Sequence, residues 1–266
     1  MTSILGIDAA WTLHKPSGVA LVRNVSGTWE CIGLAPSYNA FIDLGKGVNV
    51  DWTEVPKGSP PDVTQLLDAS TLLCGERVDV ISVDMPLSTD RIDGRREADD
   101  QVSREFGSRK CATHSPSRER PGELSDQLRR DFEAQGYPLA TKTTPLGAAH
   151  ALIEVYPHPA LLSLCPSKDR LMYKTSRTRS YWPELSLAER RLKLLEEWQR
   201  ILAALRKNIS RIPLDLPDSA TLTLSALKRY EDALDALVCC WIGGEYLVGK
   251  ATPFGDAAAA IWIPEL

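Results

Sequence analysis

The sequence predicts an α/β fold: a mixed β-sheet with helices packed against it. Three observations lead there. Short apolar segments rich in β-branched residues follow one another closely between residues 4 and 34, the spacing of an antiparallel meander. The run VDVISVDMP, residues 78–86, is apolar almost without interruption, which suits a central strand covered on both faces. After residue 186, two long segments carry apolar residues at helical spacing.

The elements follow in order. Residues 4–8 form a first strand that ends on an acid, Asp8. Lys15, Pro16 and Ser17 turn the chain into GVALVR, and Ser26 and Gly27 turn it again into WECIGL. Ser59 is expected to cap a helix whose first turn accepts Pro60. Val63, Leu66, Leu67, Ser70 and Leu73 mark its buried face, and Gly75 stops it. Pro86 ends the central strand. Residues 88–150 are rich in Arg, Asp, Glu and Ser with the two signs nearly balanced, and read as a helical and loop insertion near the mouth of the sheet. LIEVY, residues 152–156, returns to strand character and is closed by Pro157 and Pro159. Ser186 and Glu189 make a capping-box pattern before LAERRLKLLEEWQRILAALRKN. A last helix is expected over residues 225–248, and AAAAIWIP adds a short strand or a packed arm. With no repeat and no long linker, residues 1–266 are expected to form one domain carrying the insertion.

Bulk composition narrows the function classes. The chain is 43% hydrophobic and 25% charged, as an ordinary globular protein is. No apolar stretch reaches the length of a bilayer span, so no membrane partner is expected. MTSILGIDAAW lacks the basic start and apolar core of an export signal. A cytoplasmic location is therefore expected. Cys31, Cys74, Cys111, Cys165, Cys239 and Cys240 contain no C-x-x-C pair, which argues against structural zinc. Adjacent Cys239 and Cys240 read as core thiols. The net charge of -4 argues against a strongly basic, non-specific nucleic-acid binder but leaves room for a local basic patch.

The chemistry lies in the acids. Asp8 and Asp84 each end a strand, where an ionised carboxylate needs hydrogen bonds, a basic partner or a metal ion to offset its lost hydration. Capping the next turn would also explain either one alone. KRYEDALDALVCCW places Asp232 and Asp235 three residues apart, on one face of a helix that is apolar nearly all round. Acids on two strand ends and on a late helix form an oxygen-donor set of the kind Mg²⁺ or Mn²⁺ prefers. Two such ions activate a water and stabilise a leaving oxygen in phosphoryl transfer.

This order of elements and acids resembles the ribonuclease H-like superfamily, and DALDAL resembles the acidic helix of its Holliday-junction resolvases. Taken together, GIDAAW, SVDMPL with the R-x-A-D-D segment after it, EVYPHP and DALDALVC resemble an uncharacterised family of predicted nucleases of ribonuclease H fold. The resemblance touches most of the chain through short motifs. It implies a ribonuclease H-like mixed sheet and metal roles for Asp8, Asp84 and Asp235, with Asp232 as an alternate or additional ligand.

Other residues are candidates for the same site. Glu154 could be a further carboxylate there, or a strand-end acid paired with an arginine. His158 could shuttle protons or bind phosphate, or be a structural histidine between two prolines. KDRLMYKTSRTRSYW offers Lys174 and Arg177 to phosphate and interleaves Tyr173, Tyr181 and Trp182 for base stacking; a solvated loop is the alternative. Arg95 could clamp an anion with Arg91, Arg96 and Arg104, or be neutralised by the acids around it. The expected function is a divalent-metal-dependent nuclease or phosphodiesterase acting on nucleic acid or a nucleotide. An actin-like ATPase or phosphotransferase, and a module that only binds nucleic acid or nucleotide, are the alternatives.

Overall fold

The computed structural model describes residues 2–218 and 222–266. Eight strands form one mixed sheet in the order β6-β3-β2-β1-β4-β5-β8-β7. The first three, β1 (Thr2–Asp8), β2 (Gly18–Val25) and β3 (Thr28–Ala35), are the expected antiparallel meander. On the other side of β1, β4 (Val80–Val83) and then β5 (Ala151–Val155) add in parallel. The tail does form a strand, β8 (Ala260–Pro264), parallel to β5 and hairpinned with β7 (Ala251–Gly255), which the sequence reading passed over. A two-residue strand, β6 (Ile209–Ser210), closes the far edge.

Helices cover both faces. On one lie α1 (Tyr38–Gly45), α2 (Val63–Cys74) and α4 (Glu123–Ala134), packed on Leu5, Ile7, Ile81, Val83 and Leu152. On the other lie α5 (Pro157–Leu164), α7 (Leu187–Leu205) and α8 (Leu224–Leu247), packed on Ile4, Val80, Ile153 and Val155. α3 (Glu97–Phe106) joins this second core through Ala98, Val102 and Phe106. A short helix, α6 (Thr178–Tyr181), precedes α7. Residues 88–150 thus hold α3, α4 and their loops. Among the described residues, no helix is long and apolar enough to cross a membrane.

Several boundaries differ from expectation for local reasons. Asp62, not Ser59, caps α2, its carboxylate accepting from the Gln65 N–H at 3.0 Å. Gly75 does stop it, in the left-handed conformation at φ 82. Pro157 does not merely close β5 but opens α5, since proline at a first helical position sacrifices no hydrogen bond. The capping box of Ser186 and Glu189 forms as the pattern predicts.

Two glycines decide how close α8 lies to the sheet. A Cβ on Gly6 would stand 2.4 Å from the carbonyl oxygen of Ala236, and one on Gly18 would stand 2.1 Å from that of Asp232. Only a residue without a side chain lets helix and strand backbones approach so far. In register, Gly18 is the partner of Asp8. The contact therefore sets the acidic turn of α8 beside the acidic end of β1.

Candidate active site

Side-chain alternation along the strands selects which acids meet. On β1, Leu5 and Ile7 enter the core beneath α2, whereas Ile4 and Gly6 face α8. The period of two then turns Asp8 toward α8. On β4, Ile81 and Val83 likewise face α2, while Val80 and Ser82 face α8, so Asp84 follows them. Ile7 is level with Val83, and the Asp84 N–H donates to the Ile7 carbonyl at 2.9 Å. Asp8 and Asp84 therefore stand side by side at the carboxyl ends of two parallel strands. α8 contributes Glu231, Asp232 and Asp235, all buried.

Two lysines lie among these acids. Lys174 forms an ion pair with Asp235 and reaches Glu231 at 3.5 Å. Lys228, one turn before the acids on α8, pairs with Asp232 and with Glu231 at 2.9 Å. Glu231 also accepts from the Thr175 N–H at 2.6 Å, and the Tyr173 hydroxyl donates to Asp235 at 2.8 Å. Burial alone would raise Glu231, yet Lys228 and Lys174 hold it below the usual carboxylate range. The other acids go the opposite way. Burial, reinforced by Asp8, pushes Asp235 up to about 6 against the pull of Lys174. Asp84 and Asp232 are also raised, by burial first and then by neighbouring acids, Asp8 among them. Five carboxylates thus share two ammonium groups, and Asp8 adds to the upward push on Asp84, Asp232 and Asp235.

The remaining candidates divide. Glu154 is level with Val83 in the parallel register and lines the inner recess of the site together with Asp84. It is clamped there by both Arg96 guanidinium nitrogens at 2.6 and 2.7 Å and by the Leu87 N–H at 2.7 Å. Arg96 also grips Asp99. The pair of a strand-end acid with an arginine is what forms. Arg95 is engaged within the insertion: it binds Asp100, Ser103 at 2.6 Å and Ser115 at 3.1 Å. His158 is buried, with Nδ1 3.3 Å from the Tyr173 hydroxyl. Burial, then Lys174 and Arg170, depress its pKa well below the ordinary histidine value, so it carries no charge to offer a phosphate at neutral pH. It extends the Asp235–Tyr173 hydrogen bond inward. Lys174 pairs with Asp235 while also lining the recess, and Tyr173 lies in the core, its carbonyl accepting from Trp198 Nε1 at 2.7 Å. Arg177 does face the cleft.

That cleft is large, about 1290 Å³, and is lined by Asp8, Asp84 and Asp232 together with Trp11, Arg120, Arg179 and Lys228. An inner recess of about 260 Å³ continues from it past Asp84 to Lys174, Arg170, Arg177 and His158. Sequence reasoning overlooked Lys228, although its spacing of three and four before Glu231 and Asp232 signals pairing on one helical face. It also overlooked Trp11, His114 and Arg120, which lie in loops and carry no periodic signal.

Among the described residues, no three carboxylate, imidazole or thiol groups lie close enough together, as the side chains stand, to hold a metal. The chemistry is nevertheless suitable. Asp8, Asp84 and Asp232 offer oxygen ligands to one solvent-open cleft, and raised carboxylate pKa values mark a place where added positive charge is favoured.

The model of one protein family, described as protein of unknown function (DUF429), matches residues 6–260. No curated protein and no solved structure matches the chain.

Proposed function

Since this chain belongs to DUF429, a family described as of unknown function, we propose a role from its own geometry: a divalent-metal-dependent nuclease or phosphodiesterase of ribonuclease H-like fold. The fold reading is supported by the central strand order 3-2-1-4-5, with an antiparallel meander on one side and parallel strands on the other. The function reading rests on one observation. Carboxylates from three separate elements, Asp8, Asp84 and Asp232, line a single cleft whose walls carry arginines. An acidic floor under a basic wall suits a phosphodiester held between cationic side chains and bound cations.

Asp8, Asp84 and Asp232 would hold Mg²⁺ or Mn²⁺, with Asp235 beside them. Such an ion, when bound, polarises a phosphate oxygen and lowers the pKa of a water. The protein's own residues do the rest. Tyr173 and Lys174 fix the Asp235 carboxylate from two sides. Lys228 steadies Asp232. Arg120 and Arg179, on the cleft wall, neutralise the phosphates of the incoming chain. Six free, buried thiols are in keeping with a reducing, cytoplasmic setting.

The test is turnover of generic phosphodiesters and of single- and double-stranded nucleic acids against manganese and magnesium concentration. Wild type is expected to cleave at least one of them, and Asp8→Asn and Asp84→Asn to cleave none. Two lysines already among the acids favour a second reading, a module that binds nucleic acid or nucleotide without cleaving it. Tight binding with no turnover under any divalent ion would decide for that module.

A further inference from the structure

Trp11 stands just beyond the end of β1. It is partly buried against the core and also lines both the cleft and its inner recess. His114 meets its ring edge-on with centroids 6.5 Å apart, and the Arg120 guanidinium lies 5.9 Å from its centroid. The cations around this ring are poorly compensated. Arg120, Arg170 and Arg177 make no salt bridge among the described residues, whereas Arg95, Arg96 and Arg118 are each paired with an acid. Nε of Arg170, which lines the recess, is buried without a hydrogen-bond partner. Burial, and then Arg170, Arg177 and Arg120, depress the His114 pKa, as a local excess of positive charge would.

An aromatic ring that lines a cleft, beside guanidinium groups that make no salt bridge among the described residues, is complementary to a flat ring carrying phosphates on either side. Size narrows the ligand further. The cleft, at about 1290 Å³, exceeds the roughly 300–1,000 Å³ usual for small-ligand pockets, and the recess, at about 260 Å³, falls just below it. The pair fits a polymer laid along the cleft with one unit inserted better than it fits a free nucleotide. A base inside a duplex has both faces stacked, so an aromatic side chain can pair only with a base that is unpaired or extruded.

We propose that Trp11 is a base-stacking platform, and that the cleft takes single-stranded nucleic acid with one base on Trp11 and adjacent phosphates on Arg170 and Arg177. This deepens the phosphodiesterase reading by naming the form of its substrate. It moves the stacking role from Tyr173, Tyr181 and Trp182 of the basic segment to the loop after β1.

Binding decides it. Labelled single strands of DNA and RNA with phosphorothioate linkages that resist cleavage, and the matching duplexes, are titrated in magnesium and followed by fluorescence anisotropy. The single strand of at least one chemistry is expected to bind more tightly than its duplex. Trp11→Ala should weaken single-strand binding by roughly 5- to 150-fold, the range for losing one base–aromatic stack. Trp11→Phe, which keeps a ring, should retain most of the affinity. Trp11→Leu, which keeps the buried packing without the ring, should lose it as Trp11→Ala does, so a poorly folded alanine variant leaves the question answerable. Arg177→Ala should flatten the salt dependence. Duplex bound as tightly as single strand, or unchanged affinity in Trp11→Leu, overturns the proposal. Failure of the parent reading looks different: single strands held through Trp11 but never cleaved remove the nuclease and leave the platform.

Discussion

Asp235 has a donor on each carboxylate oxygen, Tyr173 on one and Lys174 on the other, and lies outside the cleft lining. Asp232, one turn earlier, lines the cleft and is held by Lys228 alone of these donors. From sequence, Asp235 ranks first as a ligand because its charge stands in the more apolar part of the helix; the geometry divides the two roles instead. Asp235→Asn should cost stability, on the order of 3–5 kcal/mol for breaking a buried pair, measured by urea unfolding. Asp232→Asn should leave the unfolding midpoint nearly unchanged while raising the manganese concentration needed for turnover. Equal losses of stability in both would refute the division. A second residue-level expectation concerns acid. The folded-state pKa of His158 is depressed, so its contribution to stability is present above the unfolded value of about 6.5 and is lost as pH falls through that value toward the folded one. The stability of wild type relative to His158→Gln should therefore shrink between about pH 7.5 and 5. A constant difference would mean the imidazole is not kept neutral by burial.

At the scale of elements, the contact between β2 and α8 is the sharpest constraint. Gly18→Ala must push the Asp232 backbone away, since its Cβ would fall 2.1 Å from a carbonyl oxygen. The expected cost is about 1–3 kcal/mol or more, with loss of the metal response. Gly94→Ala, where a Cβ meets nothing within 4 Å, serves as the control and should be near neutral. A Gly18→Ala protein as stable and as metal-responsive as the control would show that α8 is not held there. Much of this framework was legible beforehand. The meander, the central strand, the capping box of α7 and the acidic helix all carry local or periodic signals. The clamp on Glu154 was not legible, because Arg96 stands 58 residues away and such pairing is a long-range fact. For the segment from Lys168 to Trp182, a basic composition does not say which cation pairs with the buried acids; Lys174 does, and exposed Arg177 does not. α1 went unnoticed because eight residues hold only three buried ones.

For the whole molecule, the clustered acids predict a response to metal. Mn²⁺ should raise the melting temperature of wild type by mass action and that of Asp8→Asn much less, since Asp84, Asp232 and Asp235 each feel Asp8. Identical shifts in a thermal melt would exclude Asp8 from the ion's surroundings. The way α8 reaches the sheet also has a consequence in time. Cys239 Sγ donates to the Ile7 carbonyl across 232 positions of chain, and Asp8 meets Asp232 through the same docking. Closing so long a loop is slow and comes after local structure has formed. A ribosome-bound chain that has already folded its meander therefore carries Asp8 without its helical neighbours. The acids that repel one another are brought together only once α8 docks, so any hydrolytic power would be switched on late, after the meander that carries Asp8 has formed.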